Sequence, residues 1–315
     1  MKLIETKANY NVDGVYFSGR WAQSSKGMYA TNLGAQFYTA VQAGTKITLK
    51  LSTNSNPEGV WIAYSIDDQE YQRMSLDQMP LTLELPDSKQ HVIRIVYSGN
   101  TAKDNVWKRY GGLYLDDIET DGKLTAVKPA GKKITFIGDS ITAGAWVAGK
   151  TPGKDYRGEA NFAAQTANRL GLEDIRIAYA AAGVTKGGAG CVPDAEKFLK
   201  KIDAGHPWQP IPTDIVVVNL GTCDRKTNTI EFRPDFEKLL QQIKLMYPKT
   251  PMLVMIPFGQ FFDDVIREEV PEYPDTQLIE TADWPLTFTD GMHPDTPSSK
   301  VIADKLVPIV EKYLK

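Results

Sequence analysis

Ile134-Thr135-Phe136-Ile137 runs directly into Gly138-Asp139-Ser140-Ile141-Thr142-Ala143-Gly144. The first four residues are too short a run for a helix and too apolar for an exposed strand, so they read as a strand buried on both faces. The small, glycine-flanked turn after them presents a serine at the end of that strand. Three runs of the same kind come later: 175–180 (IRIAYA), 215–220 (IVVVNL) and 252–256 (MLVMI). Residues 161–170 and 234–246, between them, carry helical patterns. Strands alternating with helices predict a parallel sheet covered on both faces. The last helix is expected to start near Pro297 with Thr296 as its N-cap. Ile302, Leu306, Ile309 and Val310 give it one apolar face, and Pro308 predicts a kink or local break.

Upstream the pattern changes. Residues 46–51 (KITLKL), 60–65 (VWIAYS), 81–85 (LTLEL) and 91–97 (HVIRIVY) alternate apolar and polar positions. Breakers such as 54–59 (NSNPEG) and 85–88 (LPDS) separate them. This predicts an all-β sandwich or jelly roll over residues 1–125. Polar, Gly- and Pro-bearing stretches at 121–123 and 128–133 read as a linker to a second domain at 126–315. A length of 315 residues suits two domains.

Composition is that of an ordinary globular chain, 42% hydrophobic and 24% charged. The net charge of −3, with no basic block, gives no support to nucleic acid or an anionic membrane as partner. Residues 1–7 (MKLIETK) lack the apolar core of a signal peptide, and no apolar run is long enough to span a bilayer. The expectation is therefore a soluble, cytoplasmic chain. Two cysteines, Cys191 and Cys223, make no disulfide framework, and spacing does not tell whether they pair.

Active sites of parallel sheets form beyond the C-terminal strand ends. The residues just past each apolar run are therefore the place to look. Ser140 stands after the first, Gly183 after the second, and Gly221-Thr222-Cys223-Asp224 after the third. Near the C-terminus comes Asp290-Gly291-Met292-His293. A carboxylate three residues before a histidine can reach its Nδ1–H and fix the tautomer. Of the three histidines, His91 lies in a strand of the β region, His206 sits in the loop Gly205-His206-Pro207, and His293, read as alone in having a carboxylate at useful spacing, lies after the last strand region. Taken singly, a loop serine, a turn glycine and a structural histidine are the ordinary readings of these residues.

In order and relative placement, the four elements together resemble the SGNH (GDSL-type) hydrolases over about residues 132–315. That resemblance implies a flavodoxin-like three-layer α/β/α fold with a parallel sheet. It implies a serine esterase with Ser140 as nucleophile, His293 as base and Asp290 as the group that orients it. The oxyanion would be held by the N–H groups of Ser140 and Gly183 and by the third block, where the family usually has asparagine and this chain has Cys223. A thiol is a weaker donor than an amide, and losing one oxyanion donor commonly costs about 10²–10³ in rate. Three consequences stay open: a slower enzyme, a donor borrowed from elsewhere (Asn219 is one candidate), or a decayed member. The order of a β domain before an SGNH domain resembles carbohydrate esterase family 2, as does Gly19-Arg20-Trp21 more weakly. This implies removal of acetyl groups from oligosaccharides or other small acyl esters. Trp146 and Trp284 are candidates to lie against a sugar ring, and residues 149–159 to form a rim. No metal or other cofactor is implied. A lysophospholipase or thioesterase with the same triad, and a non-catalytic carbohydrate-binding protein, are the alternatives.

Overall fold

The computed structural model describes residues 1–314. Five strands build the sheet that carries the serine: β1 (Lys133–Gly138), β2 (Glu173–Ala178), β3 (Ile215–Asn219), β4 (Met252–Met255) and β5 (Thr276–Ile279). All pair in parallel, in the order β2-β1-β3-β4-β5. The sequence reading found four of them. It missed β5, whose TQLI is half exposed at the sheet edge and so lacks the fully apolar signature. The order reverses at β1/β3, and in open sheets of this kind ligands bind outside the strand ends at that reversal.

Alternate residues of these strands feed two separate cores. Ile137, Val216, Val218, Met252 and Val254 pack under Phe232, Phe236, Leu239, Leu240 and Ile243 of α4 (Thr229–Met246), in a core shared with the short helices α3 (Ala195–Phe198) and α5 (Asp263–Glu269). Ile134, Phe136, Ile215, Val217, Leu253 and Met255 pack under α2 (Phe162–Leu170) and α6 (Thr296–Glu311). The result is the expected three-layer α/β/α sandwich.

Some boundaries differ from expectation. Helix α4 begins at Thr229, not Pro234, because Asn228 caps it by accepting from Glu231 N–H. The bond that Pro234 cannot donate leaves the carbonyl of Ile230, a residue 87% exposed, to water. The N-cap of α6 is Asp295, which accepts from Ser298 N–H at 2.9 Å, and Thr296 is its first residue. The helix runs through Pro308 to Glu311 without a break, since Pro308 lies on its exposed face.

The β region is a sandwich. A six-stranded sheet includes Gln36–Gln42, Trp61–Ile66 and His91–Gly99, and a five-stranded sheet includes Gly27–Ala30, Lys46–Ser52, Leu81–Glu84 and Leu113–Thr120. Both are antiparallel, and their inner faces share one core around Phe37, Ile62, Ile95, Leu49, Leu83 and Leu115. The expected linker is woven into this framework. Lys123–Thr125 pairs with the strand Gln36–Gln42, and Val127–Pro129 pairs with Leu3–Glu5. The chain bends there at Asp121-Gly122, held by Asp121 accepting from Thr45 and Lys46 N–H, and again at Ala130-Gly131.

The two halves are bonded along β2, an edge strand. Tyr16 Oη donates to Glu173 at 3.0 Å, Ser18 Oγ to the Asp174 carbonyl, and Asn32 Nδ2 to the Ala178 carbonyl. Arg20 is fully buried over the Trp208 ring and donates to the carbonyls of Phe198 and Lys201. Its place in the motif Gly19-Arg20-Trp21 is thus an interface role.

Candidate active site

Ser140 opens α1 (Ser140–Ala143), a single turn that comes directly after β1. Asp139 caps that turn, its Oδ1 accepting from Ile141 N–H at 2.9 Å. Gly138 is required by close approach: a Cβ there would stand 2.0 Å from Thr142 Oγ1. Asn161, the N-cap of α2, also donates to the carbonyls of Ile141 and Thr142. The nucleophile turn is therefore held from both ends. Gly144, at φ 95°, closes it in the left-handed region, where a Cβ would also strike the Arg157 backbone.

His293 reaches this turn from the loop before α6. Ser140 Oγ lies 2.8 Å from His293 Nε2, and His293 Nδ1 lies 2.8 Å from Asp290 Oδ2. Asp290 Oδ1 accepts from the His293 and Met292 N–H groups at 2.8 and 3.1 Å. One carboxylate thus fixes both its loop and the ring. With Nδ1–H donating to Asp290, Nε2 is left to accept from the Ser140 hydroxyl. Burial holds the His293 pKa below the ordinary imidazole value, against the upward pull of Asp290, and Arg225 pushes the same way as burial. Burial also acts on Asp290, in the upward direction. The hydrogen bonds from His293 outweigh it and keep that carboxyl below its usual range.

Gly183 does not take the place expected of it. Its N–H donates to the Lys186 carbonyl at 2.9 Å, so it is committed within its own loop. The glycine is needed for another reason: a Cβ would stand 2.5 Å from both carboxylate oxygens of Asp224. Asp224 accepts from Val184 N–H, Thr185 N–H and Thr185 Oγ1, tying the loop after β2 to the loop after β3. Sequence reasoning assigned Asp224 no role.

Cys223 is 6% exposed and is buried close to the Asp139 and Asp224 carboxylates. Burial, with the charges of Asp139 and Asp224, pushes the thiol far above its ordinary pKa, which works against a thiolate nucleophile. Burial likewise raises Asp139, to about 7, with Asp224 adding to the effect and the Ile141 hydrogen bond opposing it. Cys191 is exposed and both cysteines are free, so they do not pair. The Asn219 amide is buried with neither its nitrogen nor its oxygen hydrogen-bonded.

Of the two tryptophans, Trp146 lies beside the dyad, its ring centroid 6.4 Å from that of His293 and 5.2 Å from that of Tyr156. Its φ of 60° is left-handed, a conformation that a bulky residue holds only when its surroundings impose it. Trp284 instead packs on Phe258 within the core beneath α2 and α6. Tyr156 comes from the expected rim segment. Arg73 of the β region fixes that segment by donating to the Lys154 and Tyr156 carbonyls and pairing with buried Glu159 at 2.9 Å. Burial, then the charges of Asp104 and Asp290, raise the Tyr156 phenol to about 12. No sequence pattern marked Arg73, since it acts across the boundary between the two halves.

Comparison with known proteins agrees with this fold. Residues 136–296, just over half of the chain, match the GDSL-like lipase/acylhydrolase family. The cellulase/esterase CelE of Acetivibrio thermocellus is 30% identical over 148 residues, which are 42% of this chain and only 18% of that protein. Among solved structures, a family two carbohydrate esterase from Clostridium thermocellum, in complex with cellohexaose, superposes with a TM-score of 0.81 at 20% identity, covering 95% of this chain and 99% of that one. An acetyl xylan esterase from the rumen bacterium Butyrivibrio proteoclasticus gives 0.80 at 18% identity, covering 100% and 99%. These likenesses include the β-sandwich as well as the α/β layers. The chain belongs to the GDSL-like lipase/acylhydrolase family.

Proposed function

We propose that the protein is a serine esterase that removes acetyl or other short acyl groups from saccharides through Ser140, His293 and Asp290. The observation that carries the reading is the continuous line from Ser140 Oγ to His293 Nε2 and from His293 Nδ1 to Asp290, 2.8 Å at each step. His293 takes the hydroxyl proton as Ser140 Oγ attacks the ester carbonyl. It returns that proton to the departing alcohol as the carbon–oxygen bond breaks, leaving an acyl-serine. Water then repeats the attack, giving its proton to His293, and the acid is released with Ser140 restored.

The oxyanion falls to the N–H of Ser140, which in the first turn of a helix has no intrahelical acceptor. Cys223, whose thiol is a weaker donor than an amide, contributes little. Saccharide as the alcohol is supported by Trp146. The leaving group must stand beside the ring that protonates it, and Trp146 flanks that ring with an apolar face. The names of the structural neighbours support the same substrate class. The test is hydrolysis of p-nitrophenyl acetate and of acetylated xylo-oligosaccharides by wild type and Ser140→Ala. Activity on both that vanishes in the variant supports the reading. Activity that survives removes Ser140 as nucleophile, and a preference for long acyl chains removes the saccharide esterase.

A further inference from the structure

The chain contains a second Asp-x-x-His-Pro. Asp203-Ala204-Gly205-His206-Pro207 repeats the spacing of Asp290-Gly291-Met292-His293-Pro294. The conformation repeats as well. Asp203 Oδ1 accepts from His206 N–H at 2.9 Å, and Asp203 Oδ2 lies 2.9 Å from His206 Nδ1. The residue after the midpoint donates to the same oxygen in both loops, Gly205 here and Met292 there. Each loop closes with an antiparallel bridge, Lys201 to Pro207 and Phe288 to Pro294. In each, the histidine carbonyl accepts at 2.9 Å, from Ile202 N–H and from Thr289 N–H respectively. The first loop is thus a second mount that holds an imidazole edge-on from a fully buried carboxylate.

This mount serves no second triad. The hydroxyl beside it, Tyr29 Oη, lies 3.0 Å from Nδ1, the nitrogen already turned to Asp203. His206 lines a cleft between the β-sandwich and the α/β layers. The cleft has a volume of about 460 Å³, with Lys26, Asn54, Arg109, Tyr114 and three polar residues of 23–25 around it and no acidic side chain in its wall. Lys26 Nζ is steadied by Asn54 Oδ1 at 2.7 Å. Arg109, 54% exposed, stands with its Nε 3.8 Å from Asp203, and its backbone is left-handed at φ 60°. Lys26, Arg109 and His206 thus line one space large enough for a sugar ring, in a chain whose net charge is negative.

We propose that this cleft is a second binding site, distinct from the Ser140 site, for a small organic oxyanion. Its ligand carries a carboxylate or phosphate on a body of about monosaccharide size. The planar fork of Arg109 suits two oxygens of one such group, Lys26 supplies a point charge, and the His206 edge fixes a third contact. The proposal stands independently of what Ser140 does.

The test is calorimetric titration of the full chain with glucuronate, glucose 6-phosphate and neutral glucose, in wild type and in the pair Arg109→Met, Lys26→Gln. At least one anion is expected to saturate the wild type, glucose is not, and the double variant is expected to bind about tenfold or more weakly. Glucuronate alone assigns an acidic saccharide, and glucose 6-phosphate alone a phosphorylated one. Saturation by neither anion, equal binding of glucose, or undiminished binding in the double variant overturns the site. Lys26→Gln alters an exposed side chain and is expected to leave thermal melting unchanged, whereas Arg109→Met also removes the cation 3.8 Å from buried Asp203, so the pair is expected to melt earlier. Lys26→Gln alone gives a second reading should the pair melt early.

Discussion

Asp290→Asn separates the two jobs of that carboxylate. In the wild type one oxygen takes the N–H groups of Met292 and His293, and the other takes the Nδ1–H of His293. The asparagine has a single oxygen. Two backbone donors compete for it against one ring donor, so the oxygen stays with the backbone and the amide nitrogen faces Nδ1. The ring must then accept at Nδ1 and carry its proton on Nε2, where it cannot receive the proton of Ser140. Regaining the working tautomer sets two donors against each other, at about 1–3 kcal/mol. The charge that stabilises the imidazolium in the transition state is lost as well. Together these predict a fall in kcat of about 10³–10⁴, or roughly 4–5.5 kcal/mol, with little change in melting temperature. Asp290→Ala makes the contrast. It removes the loop's acceptor and lowers stability, yet leaves the tautomer free, so its kcat is expected to exceed that of Asp290→Asn. The assay is p-nitrophenyl acetate hydrolysis under saturation, beside thermal melts of the three proteins. An asparagine variant that keeps more than about a tenth of wild-type kcat would refute the tautomer argument. So would an alanine variant that is slower than the asparagine one while equally stable.

Cys223→Asn places an amide donor where the thiol stands, and kcat is expected to rise by about tenfold, with one full oxyanion donor, about 10²–10³, as the ceiling; a fall would show that the thiol site is adapted as it is. Asp139, raised to about 7 in the fold and ordinary when unfolded, favours the native state fully below about pH 4 and loses that stabilisation as pH rises through 7. Melting temperature is therefore expected to drop by roughly 5 °C or more between pH 5 and 8.5 in the wild type and to stay flatter in Asp139→Asn, and parallel curves would contradict the assignment. The acid limb of kcat/KM is expected below the ordinary imidazole pKa of about 6.5, because His293 must be neutral to act and burial lowers its pKa; a limb above 7 would not fit. Arg73→Met leaves buried Glu159 short of its closest cation, at 2.9 Å. The expected cost is about 3 kcal/mol, together with a raised KM as the Tyr156 segment loosens, and an unchanged melt and KM would count against the clamp.

Only local relations could be read from sequence. The doubly buried strands announce themselves because both faces of 134–137 and 215–220 must be apolar. The Asp290–His293 relation is visible because three residues of loop set the distance. Gly183 misled because a glycine at a strand end signals backbone freedom, not which way its N–H turns, and here Lys186 and Asp224 decide that. Trp284 misled for a similar reason: closeness in sequence to Asp290 said nothing of Phe258, which is 26 residues away in the chain and holds the ring. The Asp203–His206 spacing was as legible as the catalytic one. A reading that credits His293 alone with a carboxylate at useful spacing passes over it and takes His206 only as part of a loop.

The bonds along β2 bear on how the chain survives before it is complete. A parallel sheet built this way ends in a strand whose outward N–H and carbonyl groups invite pairing with another molecule. Here that margin carries Glu173, Asp174 and Arg176, all buried, under Tyr16, Ser18 and Asn32. The sandwich is thus a cover already made when the edge it must protect is still being synthesised. Cut away, it would leave a sticky seam and three stranded charges, and the catalytic layers would meet aggregation before they met a substrate.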